Sequence, residues 1–220
     1  EDFQGMRETI SRALRLMLML NVPATIGLIA LGQPIVQLIF ERGSFSSIDT
    51  VSTTAALLFY APGLVGYSAV RIAVPAFYAL GNSLLPAYIS MATVVLNIAL
   101  NLVLVTLIGY QGLALGTSVA ALANALVLLI VLNRRLEGLN TKQIVTTGVK
   151  ITIASLVMGA AATLTHSWLL LSWVSDNVLT RFGSITISIG VGLIVLVLTS
   201  RLLRLTELDQ AWQQLRSKLG

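Results

Sequence analysis

From Ile72 to Asn133 the chain reads IAVPAFYALGNSLLPAYISMATVVLNIALNLVLVTLIGYQGLALGTSVAALANALVLLIVLN, 62 residues without one charge. As a single helix rising about 1.5 Å per residue, this stretch would be about 93 Å long. The hydrocarbon core of a bilayer is about 30 Å thick and takes roughly 20 residues to cross. The run therefore has to be cut. Gly81-Asn82-Ser83 with Pro86 supplies one breaker, and Gly109-Tyr110-Gln111-Gly112 the other. Cut there, it yields spans over 86–108 and 113–132, and its first residues complete a preceding span over 51–80.

Outside the run, charges act as rulers. Between Arg15 and Glu41 lie 25 uncharged residues, which predict a span over 16–40. Two more apolar stretches follow the uncharged run, predicting spans over 144–170 and 184–203, with a polar loop of Ser172, Asp176, Asn177 and Arg181 between them. The runs are continuous and about twice the length of a barrel strand, so helices are the reading. In lipid each backbone group must find its partner inside the segment, which points the same way.

The composition agrees. Hydrophobic residues make up 56% of the 220 and charged residues only 10%, with a mean hydropathy of +0.88. A soluble domain carries about 25% charged residues. A soluble globular enzyme, a disordered tail and a disulfide-stapled secreted domain are excluded, the last because there is no Cys. The fold class is all-α integral membrane with six transmembrane helices. The net charge of +5 is no nucleic-acid signal; in a membrane chain what counts is where the positive residues lie. The opening EDFQGMRETI has no basic region before a short apolar core, so it is not a signal peptide, and it begins as if cut from a longer chain.

Six spans put both termini on one side. That side receives Arg7, Arg12, Arg15, Arg134, Arg135, Lys142, Lys150, Arg201, Arg204, Arg216 and Lys218, and the other receives only Arg42 and Arg181. The positive-inside rule then makes both termini cytoplasmic and the loops at 41–50, 109–112 and 171–183 external. Both ends are amphipathic. Phe3, Met6, Ile10, Leu14 and Met17 form an apolar stripe before the first span, and Leu205, Leu208, Trp212, Leu215 and Leu219 form one after the last. The expectation is that each lies on the cytoplasmic leaflet; a short coiled-coil seam is the alternative for the second.

Little here does covalent chemistry. There is one His, at 166, beside Ser167 and Trp168 near the external end of the fifth span, where an interfacial role is expected. No catalytic residue, metal site or cofactor is predicted, and no phosphate-binding loop of the G-x-x-x-x-G-K-[ST] type occurs. Gly63 with Gly66, and Gly112 with Gly116, suit close helix packing better than phosphate binding. The informative residue is Arg71, set among Ala69, Val70, Ile72, Ala73 and Val74. A charge in mid-membrane costs about 2.5 to 3.5 kcal/mol on insertion scales. Two readings stand: Arg71 snorkels or makes a structural pair, or it faces an aqueous cavity and meets an anionic substrate. Pro62 and Pro75 flank it and remove backbone donors in mid-span, which predicts a kinked span. Asn97, Asn101 and Asn124 are polar positions in the third and fourth spans; interhelical hydrogen bonding and cavity lining are the two roles they admit.

Three stretches carry a resemblance: DFQGMRETISRALRLMLML, LIFERGSFSSIDTVSTTAALLFYAPGLVGYSAVRIAVPAFYALGNSLLP and NIALNLVLVTLIGYQGLALGTSVAALANALVLLIVLNRR. Together they resemble the C-terminal part of the lipid II flippase family (MurJ, also called MviN), within the multidrug/oligosaccharidyl-lipid/polysaccharide exporter superfamily. The phrases FERGSF, YAPGLVGYS, RIAVPAFYALGN and GLALGTS bear it, over about residues 1–136; residues 137–220 match by position only. The resemblance implies a fourteen-span fold of two six-helix lobes and two terminal helices that form a lipid-facing groove. The six spans here would be its last six, with 1–136 completing the second lobe and 137–220 holding the groove pair and a C-terminal amphipathic segment. It implies movement of an undecaprenyl-pyrophosphate-linked peptidoglycan precursor from the inner to the outer leaflet of the bacterial cytoplasmic membrane, by alternating access.

The partners it implies are that precursor, the bilayer and an N-terminal eight-span portion, with no nucleic acid. The family's cavity residues in its first, second, seventh and eighth spans have no counterpart here. Arg71 carries over, and so do Glu41 and Arg42, which are either a solvated local ion pair or an external gate contact. Competing readings are an exporter of polysaccharide-lipids or drugs from the same superfamily, and a non-transporting membrane scaffold or regulator.

The topology has a direct check. In this Cys-free chain, Ser46→Cys and Ser175→Cys should react with an impermeant thiol reagent applied to intact cells, while Ser217→Cys should not. Labelling at 217 reverses the orientation.

Overall fold

Apolar side chains alone do not order a helix bundle in lipid; backbone satisfaction and close contact do. The computed structural model describes residues 3–172 and 177–203. Its helices are α1 (Phe3–Phe40), α2 (Ser47–Tyr60), α3 (Gly63–Ala79), α4 (Leu84–Ile108), α5 (Tyr110–Arg135), α6 (Thr141–Ser172) and α7 (Val178–Leu202). Six segments are long and apolar enough to cross a membrane, α2 and α3 together forming the second, Ser47–Ala79. They pack as a row: α4 against α5, α5 against α2 and α3, these against α1, and α1 against the α6–α7 hairpin.

The second span breaks once, at Pro62. Pro62 lacks an N–H and ends α2, whereas Pro75 lies inside an uninterrupted α3, as Pro23 and Pro34 do inside α1. The difference lies in the neighbours. At the break, Ser118 of α5 donates its hydroxyl to the carbonyls of Phe59 (2.6 Å) and Tyr60 (2.9 Å). Thr25 of α1 donates to the Ala61 carbonyl at 3.3 Å. The Phe59 and Tyr60 carbonyls are thus satisfied from α5, and Thr25 adds a second donor to the Ala61 carbonyl, which also accepts from the Leu64 amide at 3.1 Å. Pro75, on an exposed face, costs α3 one hydrogen bond and nothing in packing.

Small residues then let the helices close. A Cβ on Gly66 would lie 2.7 Å from the carbonyl of Ala121, and one on Gly63 would lie 2.8 Å from the Ser118 hydroxyl, so α3 and α5 meet nearly backbone to backbone. On the opposite side of α5, Gly112 abuts the Leu104 backbone and Gly116 abuts the Asn101 side chain of α4. The packing role expected of these four glycines is what the contacts show. The α4–α5 connection is Gly109 alone, at φ 67° and ψ −146°, backbone that an L side chain adopts only under strain.

The first span departs from expectation. The amphipathic lead-in is not a separate surface helix but the first part of α1, 38 residues in all. Ile10, Leu14 and Met17 are buried with Ala73 and Phe77 of α3, Leu128 and Leu132 of α5, and Leu136 and Leu139 beyond it. The stripe faces protein rather than lipid because the 136–143 segment folds back onto it. Arg15 donates to Gln143 (2.7 Å), the Ser11 hydroxyl accepts from the Asn140 amide (3.4 Å), and Arg7 pairs with Glu137 at 3.3 Å. That segment starts from a Schellman turn. The Gly138 amide donates to the Asn133 carbonyl at 2.9 Å and the Glu137 amide to that of Arg134 at 3.3 Å. Glu137 takes the left-handed position at φ 51°, which Gly81 fills in the equivalent turn after α3. The expected C-terminal amphipathic stripe at 205–219, and Asp176, lie outside the described residues.

Ser118→Ala should leave two carbonyls at the Pro62 break without their donor. A buried polar group left unpaired costs about 1–3 kcal/mol. The variant's thermal midpoint in detergent should fall below wild type, and Ser118→Thr should fall less if the hydroxyl is what matters.

Candidate functional site

Arg71 sits midway along α3. Its neighbours two positions away on either side, Ala69 and Ala73, are buried against the core, which turns Arg71 to the opposite, exposed face. The same face carries Tyr60 at the end of α2, then Tyr67, Pro75 and Tyr78, all exposed. The Tyr60 and Tyr67 rings lie 6.5 Å apart across the helix break, tilted by 31°. Because Pro75 has no N–H, the Arg71 carbonyl one turn back loses its helical donor. One side of the α2–α3 span thus presents a guanidinium, three phenols and a freed carbonyl. Such a surface suits water and a polar ligand better than hydrocarbon.

The polar residues expected alongside Arg71 lie elsewhere. Asn97 and Asn101 occupy the α4–α5 seam, and α4 barely touches α3. The Asn101 amide donates to the Asn97 Oδ1 at 3.1 Å, a bond within one helix rather than between two. Two Oδ1 atoms, of Asn101 and of Asn124 on α5, are buried without a hydrogen bond among the described residues. Glu41 and Arg42 stand at the far end of α1. The Glu41 carboxylate accepts from Thr50 (2.7 Å) and Gln37 (3.1 Å), fastening α1 to the first turn of α2. Arg42 donates to the Ile39 carbonyl at 2.8 Å. Asp49 accepts from both the amide and the hydroxyl of Ser46, each at 2.8 Å, which closes the same corner. Arg71, the three asparagines and the Glu41–Arg42 pair are therefore three separate places. Among the described residues no three His, Asp or Glu side chains cluster as metal ligands would.

Two further features stand out, the first not anticipated from the sequence and the second expected only through the family resemblance. The first is the tyrosine stripe, although its spacing 60, 67, 71, 78 holds one helical face and was there to be read. The second is a groove of about 370 Å³ between α1, α6 and α7, lined by side chains such as Leu20, Leu31, Met158, Ala162 and Leu193. Along α1 it runs from Met19 to Ile35, roughly 24 Å of helical rise, most of a hydrocarbon core about 30 Å thick. At its end a second pocket of about 180 Å³ is lined by Gln37, His166, Arg181 and Ser184 with three apolar neighbours. No local pattern announces either one, since each is assembled from three distant helices.

Comparison with known proteins fits this geometry. The family model described as "Lipid II flippase MurJ" matches residues 1–183. A probable lipid II flippase of Rickettsia prowazekii is 37% identical over 56% of this chain and 24% of its own length. One of Vibrio cholerae is 30% identical over 94% of this chain and 40% of its own. A solved structure of the lipid II flippase MurJ in an inward closed conformation superimposes with a TM-score of 0.68 at 26% identity, covering 91% of this chain and 40% of that one. The chain thus spans less than half the length of these relatives. It is an all-helical, partial counterpart of that transporter fold, and it belongs to the lipid II flippase MurJ family.

Proposed function

We propose that this chain forms the C-terminal wall and the lipid-facing groove of a flippase that carries an undecaprenyl-pyrophosphate-linked peptidoglycan precursor from the inner to the outer leaflet. The observation that carries this is the Arg71 face. A guanidinium and three phenols on a mid-membrane surface are costly against lipid and suited to an aqueous cavity. The core on the other side of α3 leaves that face uncovered. In this reading Arg71 meets the anionic pyrophosphate, and the apolar groove on α1, α6 and α7 takes the polyprenyl chain. Asn97 and Asn101 lie at the α4–α5 seam behind the wall, and Asn124 on α5, rather than beside Arg71. The Glu41–Thr50 contact keeps the outer corner closed, with both chain ends cytoplasmic.

A precursor pyrophosphate carries about two negative charges, and moving one charge across 100 mV is worth about 2.3 kcal/mol. With an inside-negative potential, outward movement would then gain about 5 kcal/mol. That is enough to drive transport without nucleotide. The reading is a transporter, not a catalyst.

In a complete flippase, Arg71→Leu should keep expression and lose transport, and Arg71→Lys should retain part of it, because charge survives without the planar fork. Complementation of a flippase-depleted strain measures both. Full rescue by Arg71→Leu removes the cavity role. A second test concerns the missing wall. Alternating access rocks one lobe against another. The 220 residues alone, reconstituted in liposomes, should leave a fluorescent lipid II analogue at the protein-free rate under an imposed potential. Co-expression with an eight-span N-terminal partner should restore translocation. Translocation by the 220 residues alone shows that the opposing lobe is dispensable.

A further inference from the structure

On these helices a serine or threonine usually donates back to a carbonyl of its own helix, as Thr54, Ser155 and Ser188 do to the residue four before. Thr25, Ser68 and Ser118 reach across to another helix instead. Thr25 and Ser118 meet carbonyls at the Pro62 break, where the helix has lost regular pairing. Ser68 has no such duty. Its hydroxyl donates to the Asn21 Oδ1 of α1 at 2.9 Å, although the Leu64 carbonyl stands four residues back on its own helix. Asn21 is held in turn by its Nδ2, which donates to the Met17 carbonyl at 3.0 Å. A carbonyl takes only a donor, so the amide nitrogen faces Met17 and the oxygen is left for Ser68. Backbone satisfaction accounts for the contacts of Thr25 and Ser118 and not for that of Ser68.

What the Ser68 contact fixes follows from its place on α3. Ser68 precedes Arg71 by three residues, which puts it about 60° round the helix and about 4.5 Å along it. The buried side of α3 offers Gly66, Ala69 and Ala73, small surfaces that bring helices close and resist rotation little. The Arg71 side has no helix against it among the described residues. Leu14 and Met17 of α1 add apolar contact, which in lipid carries no directional preference. Pro62 and Pro75 each remove a backbone donor, so the stretch between them is held less firmly along its own helix. We propose that Asn21 and Ser68 are positioning residues for Arg71: their bond sets the rotation of α3 about its axis and so aims the guanidinium into the open face. The role rests on the reading of that face as a cavity surface. Turned by about 60° toward α1, Arg71 would take the place of Ser68 in the seam.

The chain has no Cys, so a single introduced thiol reports on one place. Ile72 lies one turn after Ser68, on the same side of α3, and packs against the core. The labelling of Ile72→Cys by N-ethylmaleimide would be timed in the full chain in phosphatidylcholine nanodiscs. Ser68→Ala and Asn21→Leu should each speed it about three-fold or more, and together no further, because one bond is lost either way. Ser68→Thr, which keeps the hydroxyl, should label like the parent. Leu128→Cys, in the core of α5, should stay unreactive throughout, which separates a turn of α3 from a loss of the fold. In a complete flippase translocating a fluorescent lipid II analogue, Ser68→Ala should raise the half-saturating concentration about three-fold or more and leave the maximal rate within about two-fold. With Arg71→Lys in place, Ser68→Ala should have little further effect, since the flexible lysine chain does not depend on one azimuth. Unchanged labelling at 72 in both single variants overturns the positioning, and so does an equal loss from Ser68→Ala whether position 71 is Arg or Lys. Labelling at 128 in the variants reduces the bond to a contact of the fold and overturns it as well. Full complementation by Arg71→Leu is a different failure: it removes the cavity reading and the role in transport, while labelling at 72 still shows whether the bond sets the rotation of α3.

Discussion

A backbone carbonyl in hydrocarbon has nowhere to turn but to the protein, and the break at Ala61-Pro62 releases several of them. Ser118 from α5 donates to two of them, and Thr25 from α1 adds a bond to the Ala61 carbonyl beside them, which ties three helices at one level of the membrane. The contact works only at short range. That is why Gly63 and Gly66 stand on α3 where Ser118 and Ala121 press against it. The break, its donors and its glycines are one arrangement, and the rest of the row is hung from it.

With α5 held this closely on one side, its other side is free to take α4. Gly112 and Gly116 do for that seam what Gly63 and Gly66 do for the first, and Gly109 turns the chain in a single residue. The consequence for function is directional. The small faces of α3 look inward toward α1 and α5, so the large polar side chains Tyr67, Arg71 and Tyr78 look the other way. The α2–α3 span is packed from behind, and the surface it shows is the one that has no helix against it among the described residues.

The remaining two helices are joined through α1, whose length serves two purposes. Its first turns replace the expected surface helix with a buried strut against α3, α5 and the 136–143 segment. Its middle and later turns form one side of the groove with α6 and α7. A shift of α1 relative to α6 would thus be felt in α3 and in the groove together, since the same helix packs behind the first and lines the second.

The sequence by itself determined the class, the number of crossings and the family. Charge rarely enters hydrocarbon, breakers mark where a helix stops, and phrases such as RIAVPAFYALGN are distinctive. It also marked Arg71, because a lone charge among apolar residues is conspicuous in any span. What only the tertiary structure decided is which face of each helix meets protein. In water that face is written as apolar periodicity; in a bilayer both faces are apolar and the writing disappears. α4 and α5 are equally apolar, yet α4 is almost wholly uncovered while α5 is wedged between neighbours. For the same reason the asparagines were legible as polar but not as seam residues. The groove was expected only through the family resemblance, and the part α1 plays in it and its polar end were not legible, because residues from Met19 to Leu196 come together through packing between helices far apart in the chain, which no local pattern encodes.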